Sequence, residues 1–278
     1  MSLVRHEYGA MPYYTSSLLD SFSVPHLFAT RKGGVSTGVF SSLNLSQSRK
    51  DADGRTDTAE NVAENYRRAL LPLKSRPDRT AAMKQIHSDT VLAAQKSLAD
   101  TVLENSFPEC DGLFAVKGGK IDTLAVKTAD CVPILLYDVD CDVAAALHAG
   151  WRGTTAGIAE KAVRTLRENG AHGRILAAVG PRIGVCCYEV NAAVYDACKG
   201  FTEEERTRCF PVSYEKDGEQ KYRADLGELN KLFLLRAGLS ENDIDLLPLC
   251  TCCRHDEFFS HRAMTGHSGT QLSAIRLR

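Results

Sequence analysis

Six strand-like runs follow one another between residues 81 and 148 with no helix between them, which predicts an α+β fold of mixed or antiparallel sheets with helices packed outside. Two further observations agree. Helical periodicity is confined to 59–71, 155–169 and a stretch after Asp225. No GxGxxG or P-loop pattern occurs, so a doubly wound nucleotide-binding sheet is not supported. The chain has 278 residues, 44% of them hydrophobic and 25% charged, and is long enough to bury its own core. Its polar stretches at 46–58, 72–80, 100–110 and 202–222 are short enough to be loops within one domain.

The elements read as follows. Residues 26–30 are extended and run into the turn Gly33-Gly34. Val62, Tyr66, Ala69 and Leu70 recur at helical spacing and set a helix over 59–71. Strands are expected at 81–86, 90–95, 113–117, 121–128, 131–137 and 142–148. Ile158, Ala162 and Leu166 share one face of a helix over 155–169, which Gly170 stops. A strand at 174–179 leads into Gly180-Pro181. Asp225 with Glu228 resembles a capping box and opens a helix that ends at Gly238. Strands near 245–250, 257–262 and 271–277 finish the chain.

Charge and cysteine usage narrow the function classes. Lys plus Arg is 34 and Asp plus Glu is 35, so the net charge of −1 leaves no broad basic footprint for nucleic acid. No apolar run approaches the length needed to span a membrane, and the N-terminus lacks a basic then apolar leader. Ten irregularly spaced cysteines in a chain of this size read as free thiols or metal ligands in a reducing compartment. We therefore expect a cytoplasmic protein acting on a small molecule, with no nucleic-acid or membrane partner.

The chemistry concentrates in residues 128–155. Two apolar runs, 131–137 and 142–148, flank the Asp-rich loop 138–141 and read as a hairpin. If Tyr137 pairs with Asp142, Cys131 stands opposite His148, where a thiolate and an imidazole can share one ion. A lone Cys at a strand start is more often packing, and a lone His a core or rim residue. It is their opposition that raises the metal reading. His87 ends a short extended run and is the candidate third ligand. Three ligands from separate elements leave a fourth position for water or substrate, unlike the tight pairs of a structural zinc finger. Gly150-Trp151-Arg152-Gly153-Thr154-Thr155 then opens a helix, and its N-terminus with Arg152 suits an anion. Arg31 beside Gly33-Gly34 offers a second cation.

Other readings of the same residues stay open. Cys131 with His148 fits a metal-free cysteine hydrolase. Cys250-Thr251-Cys252-Cys253 fits a metal- or thiol-sensing protein, although buried strand cysteines would look the same. Eight scattered histidines fall short of a multicopper oxidase centre.

The chain resembles the YfiH-like family, labelled laccase-domain or polyphenol oxidase and described as zinc-dependent purine nucleoside phosphorylases. The resemblance rests on motifs in the right order over about residues 26–270: the run from His26 through Arg31 to Ser36, Ser42-Leu43-Asn44-Leu45, Lys84-Gln85-Ile86-His87, Thr128 through Cys131 to Ile134, and His148 through Thr154. It continues with Gly180-Pro181, Ile183-Gly184, Cys186-Cys187-Tyr188-Glu189-Val190, Phe258 through Arg262, and Thr265-Gly266. It implies a single domain of the CNF/YfiH-like type over 26–278, with residues 1–25 as an N-terminal extension. It implies that His87, Cys131 and His148 hold a catalytic Zn²⁺, with copper a lesser candidate. The implied activity is phosphorolysis of adenosine, inosine and methylthioadenosine, together with adenosine deamination.

On this reading Arg31 and Asn44 join Cys131 in the catalytic machinery, and Arg152 and Arg262 bind substrate or phosphate. The His-x-Glu of familiar zinc deaminases is absent, and Asp89 is the candidate in its place. Two departures stand out: His267 occupies the place of a usual Arg, and Arg182 that of a small residue. An alternative activity within the resemblance is an amidase editing aminoacylated muramyl nucleotides of cell-wall synthesis.

Overall fold

The computed structural model describes residues 3–104 and 106–278. The chain opens with β1 (Leu3–Tyr8), β2 (Met11–Ser16), helix α1 (Ser17–Ser21) and β3 (His26–Ala29). Helix α2 (Ala59–Leu70) precedes β4 (Thr80–Ala81) and β5 (Val91–Ala93), and α3 (Leu98–Glu104) precedes β6 (Gly112–Val116). Then come β7 (Thr123–Thr128), β8 (Val132–Asp138) and β9 (Val143–Ala149), followed by α4 (Trp151–Thr155), α5 (Ile158–Glu168) and β10 (Ile175–Val179). A polar module contains β11 (Glu189–Asn191), α6 (Ala192–Asp196), α7 (Glu203–Cys209), β12 (Val212–Lys216) and β13 (Glu219–Arg223). Helix α8 (Leu226–Arg236), β14 (Ile244–Leu246) and β15 (Gln271–Arg276) end the chain.

One six-stranded sheet runs β1-β2-β3-β15-β7-β4 and a second runs β14-β10-β8-β9-β6-β5, while β11, β13 and β12 form a small third sheet. Most pairs are antiparallel, but β4 with β7, β5 with β6 and β10 with β14 are parallel. The fold is thus mixed α+β, as expected, but the strand succession is not unbroken: α3 stands between β5 and β6.

The two large sheets are stacked. Phe28, Leu124 and Val126 of the first meet Leu135, Tyr137 and Ala146 of the second in one core. The other face of the second sheet carries Ile134, Leu136 and Ala145 against Ile158, Ala162 and Leu166 of α5 and Leu229 and Phe233 of α8. The other face of the first packs Leu27, Ala125 and Leu272 against Val62, Tyr66 and Leu70 of α2. Both faces of the central strands are therefore apolar, which is why β8 and β9 read as unbroken hydrophobic runs. Each fully buried Leu or Ile contributes about 1.5–3 kcal/mol.

Several elements differ from the sequence expectation. β4 ends at Ala81, and 82–88 is a loop whose Ile86, His87 and Ser88 N–H groups donate to the Asp111 carboxylate rather than to a strand. The helix expected at 155–169 starts earlier, at Trp151, and breaks at Gly157, whose φ of +80° no helical residue adopts. The strand at 245–250 stops at Leu246, just before Pro248. Residues 257–262 form no strand: the Phe259 and Arg262 N–H groups go to the Gln271 and Asp130 side chains. The stretch 202–222 holds α7, β12 and β13, and 100–110 begins within α3. Residues 3–16 supply two strands of the first sheet, β2 pairing with β3. Asp225 does cap α8, accepting from the Glu228 N–H at 3.0 Å, but the Glu228 carboxylate pairs with Arg208.

Candidate functional site

His148 lies near the end of β9, buried beside the hairpin partner β8. The hairpin keeps a four-residue loop, but its register is displaced: Pro133, not Cys131, faces His148, and Asp138 faces Val143. The displacement is two positions, so Cys131 stays on the His148 face of the pleat as its diagonal neighbour. The His148 Nδ1 is 2.8 Å from the Asp111 carboxylate, which leaves Nε2 toward Cys131. Such a carboxylate–histidine pair fixes the ring orientation of metal-binding imidazoles.

Asp111 is fully buried and does more than orient one ring. It also accepts the N–H groups of Ile86, His87 and Ser88, and the Ser88 hydroxyl at 2.7 Å. Burial pushes this carboxyl up, but hydrogen bonds from His148 and Ser88 outweigh it and hold it down at about 2. One carboxylate thus ties the His87 loop to the His148 strand. His87 sits in the left-handed region at φ +61°. That cost is carried by the Asp111 hydrogen bonds.

Cys131 immediately precedes β8 and follows Asp130, another left-handed residue at φ +87°. The Asp130 carboxylate accepts from the Thr251 hydroxyl at 2.6 Å and the Arg262 N–H at 2.7 Å, and its carbonyl accepts from Ile183. The Cys131 Sγ lies 4.0 Å from the His87 Nε2, and the two imidazoles meet edge to face at 4.8 Å. Donor atoms of His87, Cys131 and His148 all lie within 4.8 Å of one another. Gly150 makes this approach feasible, since a Cβ there would stand 2.8 Å from the His87 ring and 3.4 Å from the sulfur. At Gly153 a Cβ would reach the Ser88 carbonyl at 2.6 Å.

The donor set fits a thiophilic divalent ion: one sulfur and two imidazoles, converging, with an oriented second imidazole nitrogen. Burial raises the Cys131 thiol, but the His148 charge and hydrogen bond and those of His87 bring it down to about 6. Burial lowers His148, yet the Cys131 charge and the Asp111 hydrogen bond lift it to about 9.

Cations gather on one side. The Tyr188 phenol, raised to about 12 by burial and then by the Cys131 charge, also feels Arg262, Asp130 and Arg152. Arg262 lies over the Tyr188 ring at 5.5 Å and donates to the Cys187 and Glu189 carbonyls. Arg152, on α4, stacks on Trp151 at 4.4 Å. Lys127, lowered to about 8 by burial and then the Arg49 charge, and His261, lowered by burial and the Arg49 charge, extend this basic rim. Among the described residues no carboxylate forms an ion pair with Arg49, Arg152 or Arg262. A surface with this surplus attracts anions.

Other sequence-derived candidates sit elsewhere or are occupied. The Arg31 guanidinium donates to the Ser41 and His255 carbonyls and lies over Phe259 at 4.5 Å. Asn44 is fully buried: its amide donates to Ser46 and Asp57, and its carbonyl accepts from Ser46 and Thr270. These bonds use its amide donors and acceptor and clamp the loops it joins. No hydrogen bond or ion pair joins Arg31 or Asn44 to His87, Cys131 or His148 among the described residues. Asp89 is paired with Lys161 on α5. His267 meets the Lys50 carbonyl at 3.3 Å. Arg182 is buried, donating to Gly180 and Leu247 and pairing with Asp225 at 3.6 Å, a place Gly227 keeps open.

Asp111 and the Arg49–Lys127 rim are absent from the sequence reading. Asp111-Gly112 resembles an ordinary turn dipeptide, and no local pattern links it to two histidines. Tyr188 stands in a quoted motif, but only the fold sets it beside Cys131.

Residues 25–278 match the family described as multi-copper polyphenol oxidoreductase laccase. The chain is 35% identical to the purine nucleoside phosphorylase YlmD of Geobacillus stearothermophilus over 254 residues, 90% of this chain and 88% of the relative. It is 35% identical to the adenosine deaminase RL5 of an unknown prokaryotic organism over 153 residues, 55% and 57% of the two chains. The solved structure of the hypothetical protein YfiH of Bacillus licheniformis superposes with a TM-score of 0.84 at 28% identity, covering 98% of both chains. With a match that spans nearly its whole length, the chain belongs to the multi-copper polyphenol oxidoreductase laccase family.

Proposed function

We propose that this protein is a cytoplasmic zinc-dependent purine nucleoside phosphorylase, acting on adenosine, inosine or methylthioadenosine with phosphate, and that it also deaminates adenosine. The observation that carries this reading is the converging His87, Cys131 and His148 donors beside Arg152 and Arg262, which form no ion pair with a carboxylate among the described residues. The relatives' names supply the substrate class. A single sulfur with two imidazoles suits Zn²⁺ and would also accept copper. Among the described residues only this group of candidate ligands contains histidine, which leaves no basis for a multicopper centre.

His87, Cys131 and His148 would hold the ion, and it would supply Lewis acidity at a position left open to reactants. Asp111 keeps the His148 Nδ1 proton in place so that Nε2 presents its lone pair. Arg152 and Arg262 bind and orient phosphate, whose fixed negative charge faces the positive charge that develops on the ribose. The Tyr188 hydroxyl, kept protonated by burial and the neighbouring thiolate, would be a donor available to substrate. Gly150 lets the His87 ring and the Cys131 sulfur approach the backbone, and each other, closely.

Purified protein incubated with adenosine should release adenine only when phosphate is present, with elemental analysis showing zinc. Release of the amino acid from an aminoacylated muramyl nucleotide without adenine formation would instead establish the amidase.

A further inference from the structure

We propose that Cys186, Cys187, Cys250 and Cys253 form a second metal site, a closed four-thiolate Zn²⁺ centre that braces the wall of the cation-lined site. Their sulfurs lie within 4.8 Å of one another. The Cys253 Sγ is 3.4 Å from both the Cys186 and Cys187 sulfurs. A tetrahedral Zn²⁺ with Zn–S of about 2.3 Å sets sulfur–sulfur edges of about 3.8 Å, within the observed range.

Packing does not account for the cluster. Cys110, Cys198 and Cys209 are buried and serve as small apolar side chains, whereas Cys186 and Cys253 are exposed and Cys187 and Cys250 partly so. Four thiols converging at a surface have no core to fill. The backbone is shaped around them instead. Cys250-Thr251-Cys252-Cys253 has the C-x₂-C spacing of zinc ligands, and its turn aims the Cys253 N–H at the Cys250 Sγ at 3.5 Å. The Gly184 N–H reaches the same sulfur at 3.2 Å. A Cβ on Gly184 would sit 3.3 Å from the Cys250 Cβ and 3.4 Å from the Cys186 Sγ, so glycine lets the two turns close together. They are zipped by a parallel bridge between Arg182 and Cys250, with the Thr251 N–H on the Arg182 carbonyl at 2.9 Å.

The same two turns carry site groups. The Cys187 and Glu189 carbonyls hold Arg262, Tyr188 follows Cys187, and Thr251 holds Asp130 next to Cys131. An ion joining 186–187 to 250–253 holds these groups in place without itself touching substrate.

The test is zinc content of the full-length protein in the Cys131→Ala background, which removes the His/Cys site. One zinc per chain should remain, and adding Cys253→Ser or Cys187→Ser should take it to zero, while Cys141→Ser should leave it unchanged. Zinc content near zero in Cys131→Ala, or unaltered by Cys253→Ser, would overturn the proposal. Should a variant fail to fold, the unsubstituted protein still decides. Mass spectrometry after alkylation should find these four thiols protected until a chelator is added. Free labelling without chelator, or a disulfide among them, would overturn it. Loss of adenine release alone would bear on the proposed activity and not on this site.

Discussion

The two sulfur-bearing clusters differ in number, kind and surroundings. His87, Cys131 and His148 offer three donors of two kinds, drawn from a loop, a strand start and a strand end, and a buried carboxylate orients one of them. The four cysteines offer donors of one kind, from two short turns that are already hydrogen-bonded to each other. Three mixed donors leave a coordination position over, whereas four thiolates fill a tetrahedron. The first arrangement suits reaction and the second suits bracing. Damage to the first should therefore remove turnover while the fold persists, and damage to the second should loosen the fold.

The strongest break in this contrast is Cys131→Ala. Phosphate-dependent adenine release should become undetectable, while the unfolding midpoint in denaturant stays close to the parent value. A next, smaller effect is expected from Asp111→Asn. Removing the charge that orients His148 should cost about 10–100-fold in metal affinity or activity. A competition titration against a colorimetric chelator reads it. Gly150→Ala should follow, since its Cβ would press on the His87 ring at 2.8 Å. Overpacking of this kind costs about 1–3 kcal/mol, which should show as weaker metal binding at unchanged secondary structure.

The smallest effect is in protons. The Cys131 thiol is held low, at about 6, and the His148 imidazolium high, at about 9. Between these values the metal-free site carries thiolate and imidazolium. Ion binding must then displace the His148 proton, so uptake should release close to one proton from this pair. Release should grow as pH falls through about 6, where the thiol is protonated as well, and shrink as pH rises through about 9, where the imidazole is already neutral. Calorimetry in buffers of different ionisation enthalpy measures the count. The four-thiol centre lacks this imidazolium.

Legibility from sequence followed burial. β8 and β9 are apolar throughout because they are covered on both faces, so their runs and loop length could be read directly. Their register could not, because several pairings satisfy two apolar faces equally. Even so, a displacement of two positions preserved the face shared by Cys131 and His148, since strand side chains alternate with period two. Apart from β2, which is largely buried, the longer strands that escaped reading are exposed or half-buried. β1 and β12 carry charged residues and show no clean alternation. Phe258 and Phe259 misled in the opposite direction: they are fully buried, but reach the core from a turn. Within the site, Cys131 and His148 were legible because one hairpin joins them. Asp111 was not, because its five donors come from two other parts of the chain. The motif around Asn44 does not show that its amide is hydrogen-bonded to Ser46, Asp57 and Thr270, since those partners come from three parts of the chain.

The most direct test strips the protein with a chelator and follows phosphate-dependent adenine release as Zn²⁺ is returned. Turnover should vanish on stripping and recover on refilling in the parent, and never recover in Cys131→Ala. Full turnover by stripped protein, or recovery in that variant, would contradict a catalytic role for the His87–Cys131–His148 cluster.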